Sequence, residues 1–83
     1  MRITVKLFAT FRQLLPVENR INGISIEAHK SITPNQILKQ LNIPVEQAHI
    51  LLINGVFVEP ERRNLAIFHD NDIFSVWPAV AGG

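Results

Sequence analysis

The sequence contains no cysteine. That absence removes a disulfide framework, a thiolate zinc site and a cysteine nucleophile together. Nor is there an excess of charge: eight basic and seven acidic residues are scattered along the chain, for a net charge of +1. Such a balance points to no nucleic-acid footprint and no membrane-surface patch. Long apolar runs are missing too, since the longest, Val76 to Ala81, is far shorter than a membrane-spanning segment. Met1-Arg2 leads straight into an alternating stretch rather than a signal peptide, so the expectation is a soluble, cytoplasmic protein. Glycine is scarce at four residues, and no glycine-rich phosphate loop is present. Two of those four glycines, Gly82 and Gly83, close the sequence side by side.

What remains suits one small domain. The 83 residues are 47% hydrophobic, which argues against disorder, and no second composition regime suggests a boundary. At this size about 60% of the surface is buried on folding, so the core must be efficient. The stretch 2–8 alternates, with Ile3, Val5 and Leu7 on one face, and predicts a half-buried strand. Ala9 to Leu15 predicts no more than a short helical turn, with Phe11, Leu14 and Leu15 on one side. The turn chemistry of Arg20-Ile21-Asn22-Gly23 then leads into a second alternating strand over 23–29.

A helix is predicted over 34–42. Thr33 can cap it, Pro34 suits its first position, and Gln36 completes a Thr-x-x-Gln capping box. Ile37, Leu38 and Leu41 make its apolar stripe, and Asn42 can end it in a left-handed turn. The run Ile50-Leu51-Leu52-Ile53 predicts a strand over 50–54, covered on both sides or central in its sheet. Asn54-Gly55 is a hairpin signal, returning a strand over 56–59. After the polar loop Pro60 to Asn64 and a short apolar segment, Leu65 to Phe68, the turn Asp70-Asn71-Asp72 opens a last strand over 72–77. Two strands, a helix, a hairpin and a final strand predict an α+β domain of residues 1–78, with one main helix covering one face of a mixed sheet of about five strands. Residues 79–83 read as a flexible C-terminal tail.

The order of elements at the end of the chain resembles the ubiquitin-like sulfur carriers, and most closely the small subunit of molybdopterin synthase. That family typically shows an Asp-Gly-Asp turn, a hydrophobic strand, an aromatic-Pro-Pro-Val element and a terminal Gly-Gly. Here the matching residues are Asp70 and Asp72, Trp77-Pro78, Val80 and Gly82-Gly83; Asn71 stands where Gly is usual and Ala79 where a second Pro is common. Phe8-Ala9 followed by Arg12 and Leu14 also resembles the family, with Gln13 in place of a frequent Glu. The resemblance implies a β-grasp fold whose last strand lies inside the sheet beside the first. It also implies a carrier without catalytic groups or a bound cofactor of its own.

The implied partners are an adenylating enzyme of the ubiquitin-activating type, which uses ATP, and the large catalytic subunit of molybdopterin synthase. The implied site is the Gly83 carboxylate, adenylated and then converted to a thiocarboxylate, with Gly82, Ala81 and Val80 threading a narrow channel. Glycine lacks a Cβ and can pass a slot too tight for any side chain. With no thiol in the sequence, a carried sulfur would have to sit on that carboxyl. A thiamine-pathway carrier, a ubiquitin-like protein modifier and an inert β-grasp binding module are the alternatives.

Other candidates are weaker. His29, His49 and His69 show no ligand spacing and read as surface residues, with no metal site expected. Glu61-Arg62-Arg63 reads as a solvated loop or as a contact for an acidic partner. In the last strand Phe74 and Val76 are expected to face the helix and core. Trp77 then points towards solvent as a docking anchor with Pro78, or lies half-buried against a neighbouring loop.

Overall fold

The computed structural model describes residues 1–79. Five strands form one mixed sheet: β1 (Arg2–Leu7), β2 (Ile24–Glu27), β3 (Ala48–Ile53), β4 (Val56–Phe57) and β5 (Asp72–Pro78), in the spatial order β2-β1-β5-β3-β4. The chain's last strand is thus the central one. It runs parallel to β1 and antiparallel to β3, with Val5 opposite Phe74 and Leu51 opposite Val76. The parallel contact between first and last strands inside a mixed sheet is the β-grasp arrangement expected from the sequence. Residues 80–83, on which the expectations for Val80, Ala81, Gly82 and Gly83 fall, lie outside the described residues.

One helix, α1 (Pro34–Gln40), packs on one side. Thr33 and Gln36 form the anticipated reciprocal cap: Thr33 Oγ1 accepts from the Gln36 amide at 3.2 Å, and Gln36 Oε1 accepts from the Thr33 amide at 2.9 Å. The helix ends two residues before the expected limit because Leu41 already leaves helical geometry and Asn42 turns left-handed at φ 60. The Ile43 amide then closes the turn on the Leu38 carbonyl at 2.9 Å. Between β1 and β2 the chain makes two 3-10 turns, Ala9–Leu14 and Val17–Asn19. Phe11 and Leu15 are buried, whereas Leu14, expected beside them, is exposed. Leu15 has left the turn for extended backbone (φ −98, ψ 150), and that swing carries it inward.

The core lies between α1 and one sheet face. Ile3, Val5 and Leu7 of β1, Phe74 and Val76 of β5, Leu51 of β3 and Ile37 and Leu38 of α1 are each 0–1% exposed. Gly23 is needed where β2 approaches β1: its φ is +82, and a Cβ would meet the Val5 carbonyl oxygen at 2.3 Å.

Among the described residues no helix or loop forms a layer over the other sheet face. This corrects the reading of Ile50-Leu51-Leu52-Ile53 as central or doubly covered: β3 lies second from the edge, Leu51 and Ile53 face the core, and Ile50 and Leu52 face away from it. Its apolar character on both sides reflects an open apolar face rather than a second helix layer. Among the described residues no helix is long and apolar enough to cross a membrane.

Candidate tail-launching site

Strand β5 enters the sheet through a turn whose aspartates have separate tasks. Asp70 Oδ1 accepts from the Arg2 amide at 2.7 Å, and the Asn71 amide donates to the Arg2 carbonyl at 2.7 Å. Both bonds tie the turn to the start of β1. Asp72 is buried; its Oδ2 accepts from the His69 amide at 2.7 Å and its Oδ1 from Asn54 Nδ2 at 2.8 Å. Asn54 Oδ1 in turn accepts from the Ile73 amide at 2.9 Å. The side chain that permits the left-handed hairpin position (φ 51) thereby also joins the β3–β4 hairpin to the start of β5. Asn71 takes φ 69, the conformation its place in the turn requires.

At its far end β5 reaches Trp77 and Pro78. Trp77 is half-buried on the face away from the helix, and its ring stacks on Phe8 with centroids 4.0 Å apart and planes 5° from parallel. Phe8 follows β1 directly, and its amide donates to the Val76 carbonyl at 3.1 Å, continuing the β1–β5 pairing by one step. Ala9 then turns the chain away in left-handed backbone at φ 53. Trp77 therefore combines features of both sequence readings: it lies on the open face, and it is packed against a neighbour. The sequence places Phe8 at the end of the first alternating strand and in a segment resembling the family, without pairing it with Trp77. Its period-two place after Leu7, on the face of Thr4 and Lys6, is the signal that could have paired it with Trp77.

Around the Phe8–Trp77 stack the open face carries Ile50 opposite Trp77, Leu52 opposite Ser75, Phe57 opposite Leu52, and Ile73. Ile50, Phe57 and Ile73 are 37%, 47% and 40% exposed. Polar residues border this stripe on the β1–β2 side, including the Arg2–Glu27 ion pair at 3.2 Å. Both of its side chains are largely exposed, so the pair contributes little to stability. Scattered exposed apolar residues need no explanation, but a contiguous stripe with a polar border is the usual form of an interaction surface.

Pro78 is half-buried opposite Ala48, at the last paired position of β5, and Ala79 beyond it is exposed. Between Ala48 and Ile50 the β3–β5 register slips by one residue, leaving His49 as an extra residue in a bulge. Arg63 holds this bulge, which corrects its reading as a solvated loop residue or partner contact. Its guanidinium is buried and donates to Ala48 O at 2.9 Å, His49 O at 3.2 Å and Val58 O at 3.1 Å. It also lies over the Phe57 ring, 5.8 Å from its centroid. Burial lowers its pKa from the ordinary value. Glu61 and Arg62 are exposed, as are the three histidines. Among the described residues no group of three or more His, Asp or Glu is placed to hold a metal ion.

Comparison with known proteins agrees with this architecture. No protein-family model and no curated protein matches the sequence. Among solved structures, the chain is similar to the HVO 2177 protein of Haloferax volcanii: 27% identity over all of this chain and 87% of that one, with a TM-score of 0.75. SAMP1 from the same archaeon matches over the whole of both chains at 14% identity and a TM-score of 0.66. A structure described as the complex of subunits 1 and 2 of molybdopterin-converting factor from Helicobacter pylori holds a chain that matches over the whole of both at 16% identity and a TM-score of 0.59. The fold is the β-grasp fold. SAMP1 and the molybdopterin-converting factor chain share this fold with the protein.

Proposed function

We propose that this chain is a sulfur carrier for molybdopterin synthesis, acting as the small subunit of its synthase. The observation that supports this best is the position of β5. The central strand of a ubiquitin-like fold ends at Pro78, and the sequence then continues for five residues to Gly82-Gly83. Fully extended, residues 79–83 span at most about 18 Å, enough to carry a carboxylate away from the domain surface into a partner's channel. The open apolar stripe around Trp77 and Phe8 is the docking surface in this reading. The partners are an adenylating enzyme of the ubiquitin-activating type and a large catalytic subunit, the second in keeping with the two-subunit complex of the Helicobacter protein.

The chemistry follows from the charge on a carboxylate. It repels nucleophiles and has no good leaving group, so the partner first joins the Gly83 carboxylate to the AMP part of ATP, releasing pyrophosphate. The outer sulfur of a persulfide on a partner then displaces AMP from the mixed anhydride to give an acyl disulfide. A second thiol of the partner cleaves its S–S bond, forming a disulfide and releasing the thiocarboxylate. In the large subunit that sulfur passes to a pterin precursor. The carrier supplies a placed carboxyl and a docking face, and the partners supply the reacting side chains.

Intact-mass measurement after incubation with an activating enzyme, ATP and a sulfur donor tests the reading. One oxygen replaced by sulfur at the C-terminus is the expected result. Deleting Gly83 draws the carboxylate back by about 3.3–3.6 Å. A misplacement of about 1 Å already costs on the order of a hundredfold in rate, so the shortened chain should fold and fail to be charged. If it is charged as well as the full chain, the assignment is wrong. Recovery of Gly83 in an isopeptide bond to a lysine, without thiocarboxylate, would make the protein a modifier instead.

A further inference from the structure

Arg63 does something that neither the fold nor the docking face requires. In a regular strand, consecutive carbonyls point to opposite sides, each into its own ladder. Here the carbonyls of consecutive residues Ala48 and His49 both meet one guanidinium, through Nη1 at 2.9 Å and Nη2 at 3.2 Å. They can do so only because the chain is bulged there, with Ala48 opposite Pro78 and Ile50 opposite Trp77. The third bond, from Nε to Val58 O at 3.1 Å, anchors the guanidinium to the segment leaving the β3–β4 hairpin. The residue's own backbone is fixed separately, since its carbonyl accepts from the Asn35 amide in the first turn of α1 at 3.0 Å. All its side-chain hydrogen-bond partners among the described residues are neutral carbonyls. The one ion pair among the described residues, Arg2–Glu27, lies elsewhere.

A buried cation with no carboxylate among the described residues is a costly way to brace a loop, and an apolar side chain would fill the space more cheaply. What the guanidinium supplies is geometry: a rigid planar fork that holds three acceptors in fixed directions, which the single nitrogen of a lysine cannot do. Bulges bend a strand, end its pairing and re-aim the residues beside them. This one faces the last two residues of β5, the point at which the chain leaves the sheet.

We infer that Arg63 is a positioning residue for the C-terminal segment: by holding the His49 bulge it sets where and in which direction the chain departs after Pro78. Its consequence for charging rests on the sulfur-carrier reading, whereas its effect on the bulge does not. Ile50, Phe57 and Trp77 of the apolar stripe adjoin the fork, so docking weakens somewhat when it is lost, but the larger expected defect lies in delivering the carboxylate.

The test uses the full chain and the variants Arg63→Lys and Arg63→Met, with two independent readouts. Trp77 is the sequence's one tryptophan and sits beside the bulge, so its fluorescence reports there alone. Amide exchange at His49, Ile50 and Trp77 reports the bulge directly, with the β1–β2 pair as internal control. Both variants should shift Trp77 emission and speed exchange at those three amides at least about tenfold beyond any change in the β1–β2 pair. Charging by an activating enzyme with ATP should show kcat lowered on the order of tenfold to a hundredfold, as expected for a misplaced reacting group, with KM for the carrier changing by less than kcat does.

Arg63→Lys keeps the charge, so it discriminates. If lysine restores exchange rates and kcat to those of the parent, the fork is not the cause and the inference falls. It falls equally if Arg63→Met lowers only the melting temperature, with exchange at the bulge rising no more than in the β1–β2 pair. Should Arg63→Met not fold, Arg63→Lys alone still decides by the same readouts. If the parent chain is never charged, the sulfur-carrier reading fails, and the exchange data still settle whether Arg63 holds the bulge.

Discussion

The two faces of β5 do opposite things with similar residues. Phe74 and Val76 are fully buried under α1, and Phe68 meets Phe74 edge-on with centroids 5.2 Å apart and planes at 85°. One step along the same backbone, Ile73, Ser75 and Trp77 face away from the helix and are half-buried or exposed. Hydrophobicity does not separate the two sets, since phenylalanine, valine, isoleucine and tryptophan occur across them. The difference lies in what covers each face: on one a helix excludes water, and on the other, among the described residues, only neighbouring side chains do. The covered face therefore carries the stability of the domain, and the open one has apolar area left for a partner.

Three substitutions would break or sharpen that contrast. The largest effect is expected for Phe74→Ala, which leaves a cavity in the core and should lower unfolding free energy by about 3–5 kcal/mol in denaturant titrations. A loss below about 1 kcal/mol would mean that the covered face is not what holds the domain together. Trp77→Ala comes next and should divide its effects. It gives up the ring stack with Phe8, about 0.5–1.5 kcal/mol beyond the lost area. In calorimetric titration it should also lose about 1–3 kcal/mol of affinity for the activating enzyme or the large subunit. A variant that unfolds, with unchanged affinity in whatever stays folded, would assign Trp77 to the core instead. The smallest effect belongs to Ile73→Thr. It keeps a β-branched residue on the strand and removes apolar area from the open face, so stability should change by no more than about 0.5 kcal/mol. A larger loss would show that this face is already covered within the single chain.

The parts of the fold visible in the sequence are those whose cause is local. The Thr33–Gln36 cap formed because both partners lie within one helical turn of each other. Asn42, Asn54 and Asn71 all take positive φ because asparagine is the side chain best able to enter the left-handed region after glycine. The facing of Phe74 and Val76 was set by the two-residue period of a strand. The errors lie where the cause was distant. The apolar run of β3 reads the same whether its second face meets a helix or an unpartnered surface, so periodicity alone could not choose between them. Leu14 and Leu15 are adjacent and alike, and only the exit of the chain from its 3-10 turn sends one inward and the other out.

The sequence by itself therefore determined the element order, the helix cap, the turn positions and the inward face of each alternating strand, because each depends on the nearest few residues. Tertiary structure alone decided the rest. The stack of Phe8 on Trp77 exists because β1 and β5 lie side by side, although they come from opposite ends of the chain. Arg63 reads as one more charge in a polar loop until β3 and the end of the hairpin bring three carbonyls around it. A guanidinium's role is fixed by the acceptors it meets, and those acceptors are backbone atoms, which carry no mark in a sequence.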